Sequence, residues 1–121
     1  MTRKVGWSRR VPDEVTTFDV RLTRQALKDL RKLRSQAGIV AEALDRLQTD
    51  PSAGHMLRGT LAGVRSLEFT LKGGGAGRAA YVVMPEHKVC LVFIIGPHEG
   101  FYERAERRAA GLDALSGEPH S

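Results

Sequence analysis

A chain of 121 residues with 41% hydrophobic and 27% charged residues has the composition of a single globular domain, which excludes a disordered chain. No stretch approaches the roughly 20 consecutive apolar residues that span a bilayer, and a single cysteine excludes an internal disulfide. The formal charge of +5 is uneven, with ten Lys/Arg against four Asp/Glu in residues 1–34, and a basic half suits a polyanionic partner as well as it suits a solvated face.

Residues 1–15 mix Arg, Lys, Gly, Pro and Trp7 without a sustained period and read as a basic extension. The positive start has no apolar segment behind it, unlike a signal peptide. Cys90 lies inside the apolar run Val89–Ile95, as expected of a buried, inert thiol in a cytoplasmic protein.

The domain proper is expected over 16–112. Residues 16–22 alternate, with Phe18, Val20 and Leu22 on one face, the pattern of a half-buried strand. Thr23 is placed as the N-cap of a helix whose apolar stripe is Ala26, Leu27, Leu30, Leu33 and Ala37, with Gly38 as its stop. Arg24, Lys28 and Arg31 fall on the opposite face, with Lys32 nearby. Val40, Ala43, Leu44 and Leu47 mark a second helix that ends at Asp50-Pro51, because proline cannot continue it. The short link makes the two an antiparallel hairpin.

Residues 51–63 read as a loop anchored by Leu57 and Leu61. A strand over 66–72 directs Leu67, Phe69 and Leu71 to the core and leaves Glu68, Thr70 and Lys72 on the other face. The glycines of 73–77 make a hairpin connection, after which Ala79, Tyr81 and Val83 face the core and Arg78 shares the outer face with Lys72. Val89–Ile95 is the last strand. A helix is expected from near Pro97, with Phe101, Ala105, Ala109 and Leu112 on its apolar face, and 113–121 as a flexible tail. The fold class is therefore α+β in the order β-α-α-β-β-β-α, a small, mainly antiparallel sheet with a helical hairpin packed on one face.

This order, and certain residues within it, resemble the RelE/ParE toxins of bacterial type II toxin–antitoxin systems. The carrying features are Leu22-Thr23, Ala26-Leu27-Lys28-Asp29-Leu30, Leu57-Arg58-Gly59, Arg65-Ser66-Leu67, Gly77-Arg78 through Tyr81-Val82-Val83, and Gly96-Pro97-His98-Glu99-Gly100-Phe101-Tyr102. The likeness covers Phe18 to Arg108. It implies a compact toxin neutralised by a cognate antitoxin. RelE-like members cut mRNA in the ribosomal A site, whereas ParE-like members poison DNA gyrase; a non-toxic interaction module of phage type is the third option.

Cleavage of RNA without a metal or other cofactor needs a base for the ribose 2′-hydroxyl, cations for the phosphate and an acid for the leaving oxygen. His98 is the candidate acid or base, Arg78 and Lys72 the phosphate clamps, and Tyr102 a stacking platform or a partner in proton transfer; the resemblance supports all four positions. A helix beginning at Pro97 would bring His98 and Tyr102 onto one face, four residues apart. Arg24, Lys28, Arg31, Lys32 and Arg65 are candidates to lie along mRNA or rRNA on the ribosome. Glu68 departs from the basic character common on this strand in RelE-like toxins. A carboxylate there either repels RNA or acts as a base paired with Lys72 or Arg78. Glu99 is expected to complement the last helix dipole, and His55 and His87 lie in loops without partners at zinc-ligand spacing.

Overall fold

A computed structural model of the chain describes residues 17–116, with side-chain surroundings through residue 112. The elements are β1 (Asp19–Leu22), α1 (Arg24–Leu33), α2 (Ala37–Asp45), β2 (His55–Met56), β3 (Arg65–Thr70), β4 (Ala76–Met84), β5 (Val89–Pro97) and α3 (Phe101–Ser116). The N-terminal extension, with Trp7, lies outside the described residues. So does the end of the tail, although α3 itself runs to Ser116, past the boundary expected at Leu112.

The five strands form one sheet in the order β1-β5-β4-β3-β2. Three neighbouring pairs are antiparallel, as short links between consecutive strands require. The exception is β1, which lies parallel to β5 with Asp19 opposite Val89 and Leu22 opposite Val92. The two-residue β2 adds an edge strand that alternation over so short a span does not reveal.

Both faces of the sheet are covered, one by the expected helical hairpin and the other by α3. On one face the α1–α2 hairpin contributes Ala26, Val40 and Leu44, which pack with Leu67, Ala79, Tyr81, Cys90, Val92 and Ile95. On the other, Phe101 and Ala105 of α3 pack with Leu61, Val64, Ala80, Phe93 and Ile94. Full burial of a ring such as Phe101 contributes about 1.5–3 kcal/mol, so α3 belongs to the core. The continuous apolar run of β5 follows from this arrangement, because a strand covered on both sides has no polar face to alternate with.

A bulge in β5 completes the second layer. Ala80 pairs with Ile94 but Tyr81 pairs with Val92, so Phe93 is an extra residue. The insertion lets Phe93 and Ile94 both turn toward α3.

Local signals explain most boundaries. Thr23 caps α1, its hydroxyl accepting from the Ala26 amide at 3.1 Å. Gly38 does not stop that helix: it lies inside α2, and the chain turns instead at Arg34, which adopts φ 45°, a conformation uncommon outside glycine. Leu61 and Leu57 anchor the 51–63 loop as expected. Tyr81 pins its start: the buried phenol donates to the Pro51 carbonyl at 2.7 Å and accepts from the Gly54 amide at 2.9 Å. Burial pushes the Tyr81 phenol above its ordinary value of 10.0, and burial likewise raises the Cys90 thiol.

Candidate functional site

The β3–β4 register sets Glu68 opposite Arg78, both on the face that α3 covers. One carboxylate oxygen of Glu68, Oε2, accepts from Arg78 Nη2 at 2.6 Å and from Nε at 3.1 Å. The guanidinium carbon lies 5.1 Å from the centre of the Tyr102 ring, a cation–π distance. Arg78 is mostly covered, with 19% of its side chain exposed, while Glu68 keeps 54% and Tyr102 is also open to solvent. Three side chains from β3, β4 and α3 thus meet at the surface, one of them a cation held in a fixed pose.

Gly77 lets β3 and β4 pair closely next to Arg78. It sits opposite Phe69 in the β3–β4 ladder, and a Cβ there would run into the Phe69 ring. Ala76 and Gly77 belong to β4, although the glycine run had been read as connection only.

The structure brings His98 near this cluster by a route other than the one expected. The helix starts at Phe101, not Pro97, so His98 and Tyr102 do not share a helical face. Pro97 closes β5 and His98 follows in the turn, its amide donating to the Ala76 carbonyl at 3.2 Å. Ala76 is two residues before Arg78 on β4, and Arg78 itself pairs with Gly96. Backbone pairing, rather than helix periodicity, sets His98 at the end of the strand beside Arg78. Glu99 is correspondingly outside the helix, and Glu103 is the carboxylate of its first turn.

Sequence reasoning missed the residue that holds this turn. Arg104 reaches back from α3, donating Nη1 to the Glu99 carbonyl at 2.9 Å and Nη2 to the Pro97 carbonyl at 3.2 Å. The guanidinium passes 3.0 Å from where a Cβ on Gly96 would lie, and Gly100 turns the chain into the helix at φ 64°. The Gly-Pro-x-x-Gly spacing was the available signal, since two glycines flanking an arginine contact leave room for its head.

Lys72 does not join the cluster through a strand position. It lies beyond the end of β3 in the exposed connection, where its amide donates to Gln36 Oε1 at 2.7 Å. Arg24, Lys28, Arg31 and Lys32 are exposed on α1, in the layer on the opposite side of the sheet from Arg78. Arg65, on β3, donates one terminal nitrogen, Nη1, to the Gly54 carbonyl at 2.8 Å and so also holds the loop backbone. Arg24 borders a groove of about 480 Å³ between the start of α1 and α3, floored by Phe93 and Leu112 and flanked by Arg107 and Arg108. Among the described residues, no three His, Cys, Asp or Glu side chains gather as a metal-ligand cluster.

A second arginine–carboxylate pair, also missed, lies inside the fold. Where β1 ends at Leu22, β5 continues with an unpaired edge. Asp29 takes the Ile95 amide at 3.0 Å, and Arg108 donates to the Phe93 carbonyl at 3.0 Å and to both Asp29 oxygens, at 2.6 and 3.1 Å. The pair stands in for a missing strand and satisfies backbone groups beside the bulge.

Comparison with known proteins agrees with this fold. Residues 20–106 match the family model described as ParE-like toxin of type II bacterial toxin–antitoxin system. A chain of the toxin–antitoxin complex RelBE2 from Mycobacterium tuberculosis is 29% identical, with a TM-score of 0.53 over 68% of this chain and 99% of that one. The isolated RelE toxin of Escherichia coli is 25% identical, with a TM-score of 0.54 over 74% of this chain and 97% of that one. A free-state mutant of the same toxin, 24% identical, gives a TM-score of 0.59 over 74% and 93% of the two chains and shows the shared fold. No curated protein matches the sequence.

Proposed function

Since the chain belongs to the ParE-like toxins of type II toxin–antitoxin systems, we propose that it is an mRNA endoribonuclease that acts with the ribosome in the cytoplasm, inhibits translation and is held off by a cognate antitoxin. The observation that carries this reading is the fixed Arg78 guanidinium, set between Glu68 and Tyr102 at the strand end where His98 emerges. A pure binding surface has no need of a titratable imidazole beside a pre-oriented arginine.

In this reading the ribose 2′-oxygen attacks the adjacent phosphorus, a reaction that needs no metal. Arg78 stabilises the charge that develops on the phosphate oxygens, with Lys72 as an exposed second cation from the neighbouring connection. Tyr102 offers an exposed ring for stacking on a base, and its contact with Arg78 keeps the guanidinium plane in place. His98 serves proton transfer at the reacting oxygens. The exposed cations of α1 (Arg24, Lys28, Arg31 and Lys32) lie along rRNA phosphates and position the toxin. Arg65 holds the loop through Nη1 and offers its remaining donors to the RNA.

An antitoxin partner is supported by the M. tuberculosis neighbour, which was solved as a toxin–antitoxin complex. Among the described residues no helix is long and apolar enough to cross a membrane.

The test is to map mRNA ends after expression of the wild type, His98→Ala and Arg78→Ala without antitoxin. New ends with the wild type and their loss in both variants are expected. Undiminished cleavage by both variants would remove the site assignment. A gyrase-directed toxin is the second reading, favoured by the ParE-like match and by the partial neutralisation of Arg78 by Glu68. It requires trapped gyrase–DNA complexes with mRNA intact.

A further inference from the structure

Unlike Glu68, Arg78 and Tyr102, His98 stands in neither a strand nor a helix. Its backbone has two bonds of its own: the amide donates to the Ala76 carbonyl, and the carbonyl accepts from the Phe101 amide, each at 3.2 Å. Among the described residues, Arg104 alone sends a side chain into this turn. The two carbonyls it takes belong to Pro97 and Glu99, the residues on either side of His98. Both are charge-assisted bonds from one planar fork. Arg104 forms no ion pair among the described residues, so both terminal nitrogens are given to the turn. The arginine also starts from a fixed base, because Phe101 and Ala105 of the same helix are fully buried.

We propose that Arg104 is a positioning residue for the cleavage reaction, holding the His98 imidazole at the strand end beside Arg78; this rests on the nuclease reading above. Arg104 touches neither the RNA nor the reacting atoms. It fixes the peptide groups before and after His98 and so takes away the backbone freedom that would let the ring swing from the site. An error of about 1 Å in the place of a reacting group costs about 100-fold in rate. Without Arg104 the turn keeps only its backbone bonds, and few of the poses then open to the ring serve proton transfer. The rest of the molecule does not depend on this contact. Burial of Phe101 and Ala105 and the pair of Arg108 with Asp29 dock α3, Arg78 is held on β4, and the exposed cations lie on α1. Loss of Arg104 therefore separates rate from both binding and folding.

The experiment measures single-turnover cleavage of a short mRNA on purified ribosomes for the wild type, Arg104→Ala, Arg104→Lys, His98→Ala and the double variant His98→Ala/Arg104→Ala. Affinity is measured on ribosomes carrying the 2′-deoxy analogue, and hydrogen exchange is followed at single amides of the free proteins. Arg104→Ala is expected to slow cleavage by about 100-fold while affinity stays within about twofold of the wild type. Its His98 and Phe101 amides are expected to exchange faster, and the Ile95 amide, bonded to Asp29 in the core, to exchange as in the wild type. Arg104→Lys is expected to keep part of the rate. In the His98→Ala background the second substitution is expected to change the rate by less than about threefold, because a residue that acts through His98 has nothing left to act on. Slowing of the same size in both backgrounds would overturn the assignment, as would a parallel fall of rate and affinity. So would unchanged exchange at His98 and Phe101, or cleavage by Arg104→Ala within about threefold of the wild type. A wild type that leaves the mRNA intact would instead overturn the nuclease reading, and this inference with it.

Discussion

Two arginine–carboxylate pairs in this protein have the same 2.6 Å contact and opposite surroundings. Asp29 with Arg108 joins α1 to α3, its carboxylate side chain 10% exposed, with both carboxylate oxygens and both terminal nitrogens engaged by backbone or partner. Glu68 with Arg78 bridges two strands at the surface and, among the described residues, leaves an oxygen and a terminal nitrogen uncommitted. Contact distance alone does not tell a structural pair from a chemical one. What separates them is whether the remaining donors and acceptors are already used.

Breaking the inner pair is expected to have the largest effect. Asp29→Ala leaves Arg108 without its counter-charge and the Ile95 amide without an acceptor, and costs about 3–5 kcal/mol, read from urea unfolding. Next comes Tyr81→Phe, which strands the Pro51 carbonyl and the Gly54 amide and costs about 1–3 kcal/mol in the same assay.

The Tyr81 phenol also gives a pH signature. Burial raises it above 10.0, so the unfolded chain ionises first; its contribution is complete below pH 10.0 and is lost as pH rises through the folded-state value. Unfolding midpoints at successive alkaline pH values should therefore fall less steeply in Tyr81→Phe. The smallest effect belongs to the outer pair: Glu68→Gln should change stability by no more than about 1 kcal/mol, because an exposed pair gains little in water. A large loss there would erase the contrast between the two.

The sequence was most informative where one physical cause acts locally. The Thr23 cap, Ala26, Leu30 and Leu33 of the α1 stripe, the α2 stripe, the alternation of β3 and β4 and the anchors Leu57 and Leu61 stand where expected, whereas Leu27 is exposed and Ala37 begins α2. It was least informative where the cause is tertiary. The parallel pairing of β1 with β5 joins strands far apart in the chain. The bulge at Phe93 hides in a run with no polar residue to mark register. The start of α3 moved from Pro97 to Phe101 because Arg104 and the β4 ladder hold the intervening turn as loop. The same shift changed the case for His98, whose neighbour is now a strand rather than a helix face. Asp29 and Glu68 show the limit most clearly. Each reads as one charge among many, and only the atoms opposite them tell their roles apart.

The most direct test of the account is cleavage of ribosome-bound mRNA by purified wild type and Arg78→Ala, with the new 3′ ends analysed chemically. The account expects discrete cuts ending in 2′,3′-cyclic phosphate for the wild type and none for Arg78→Ala at unchanged stability. Equal cutting by the two proteins, or intact mRNA with the wild type, would contradict it.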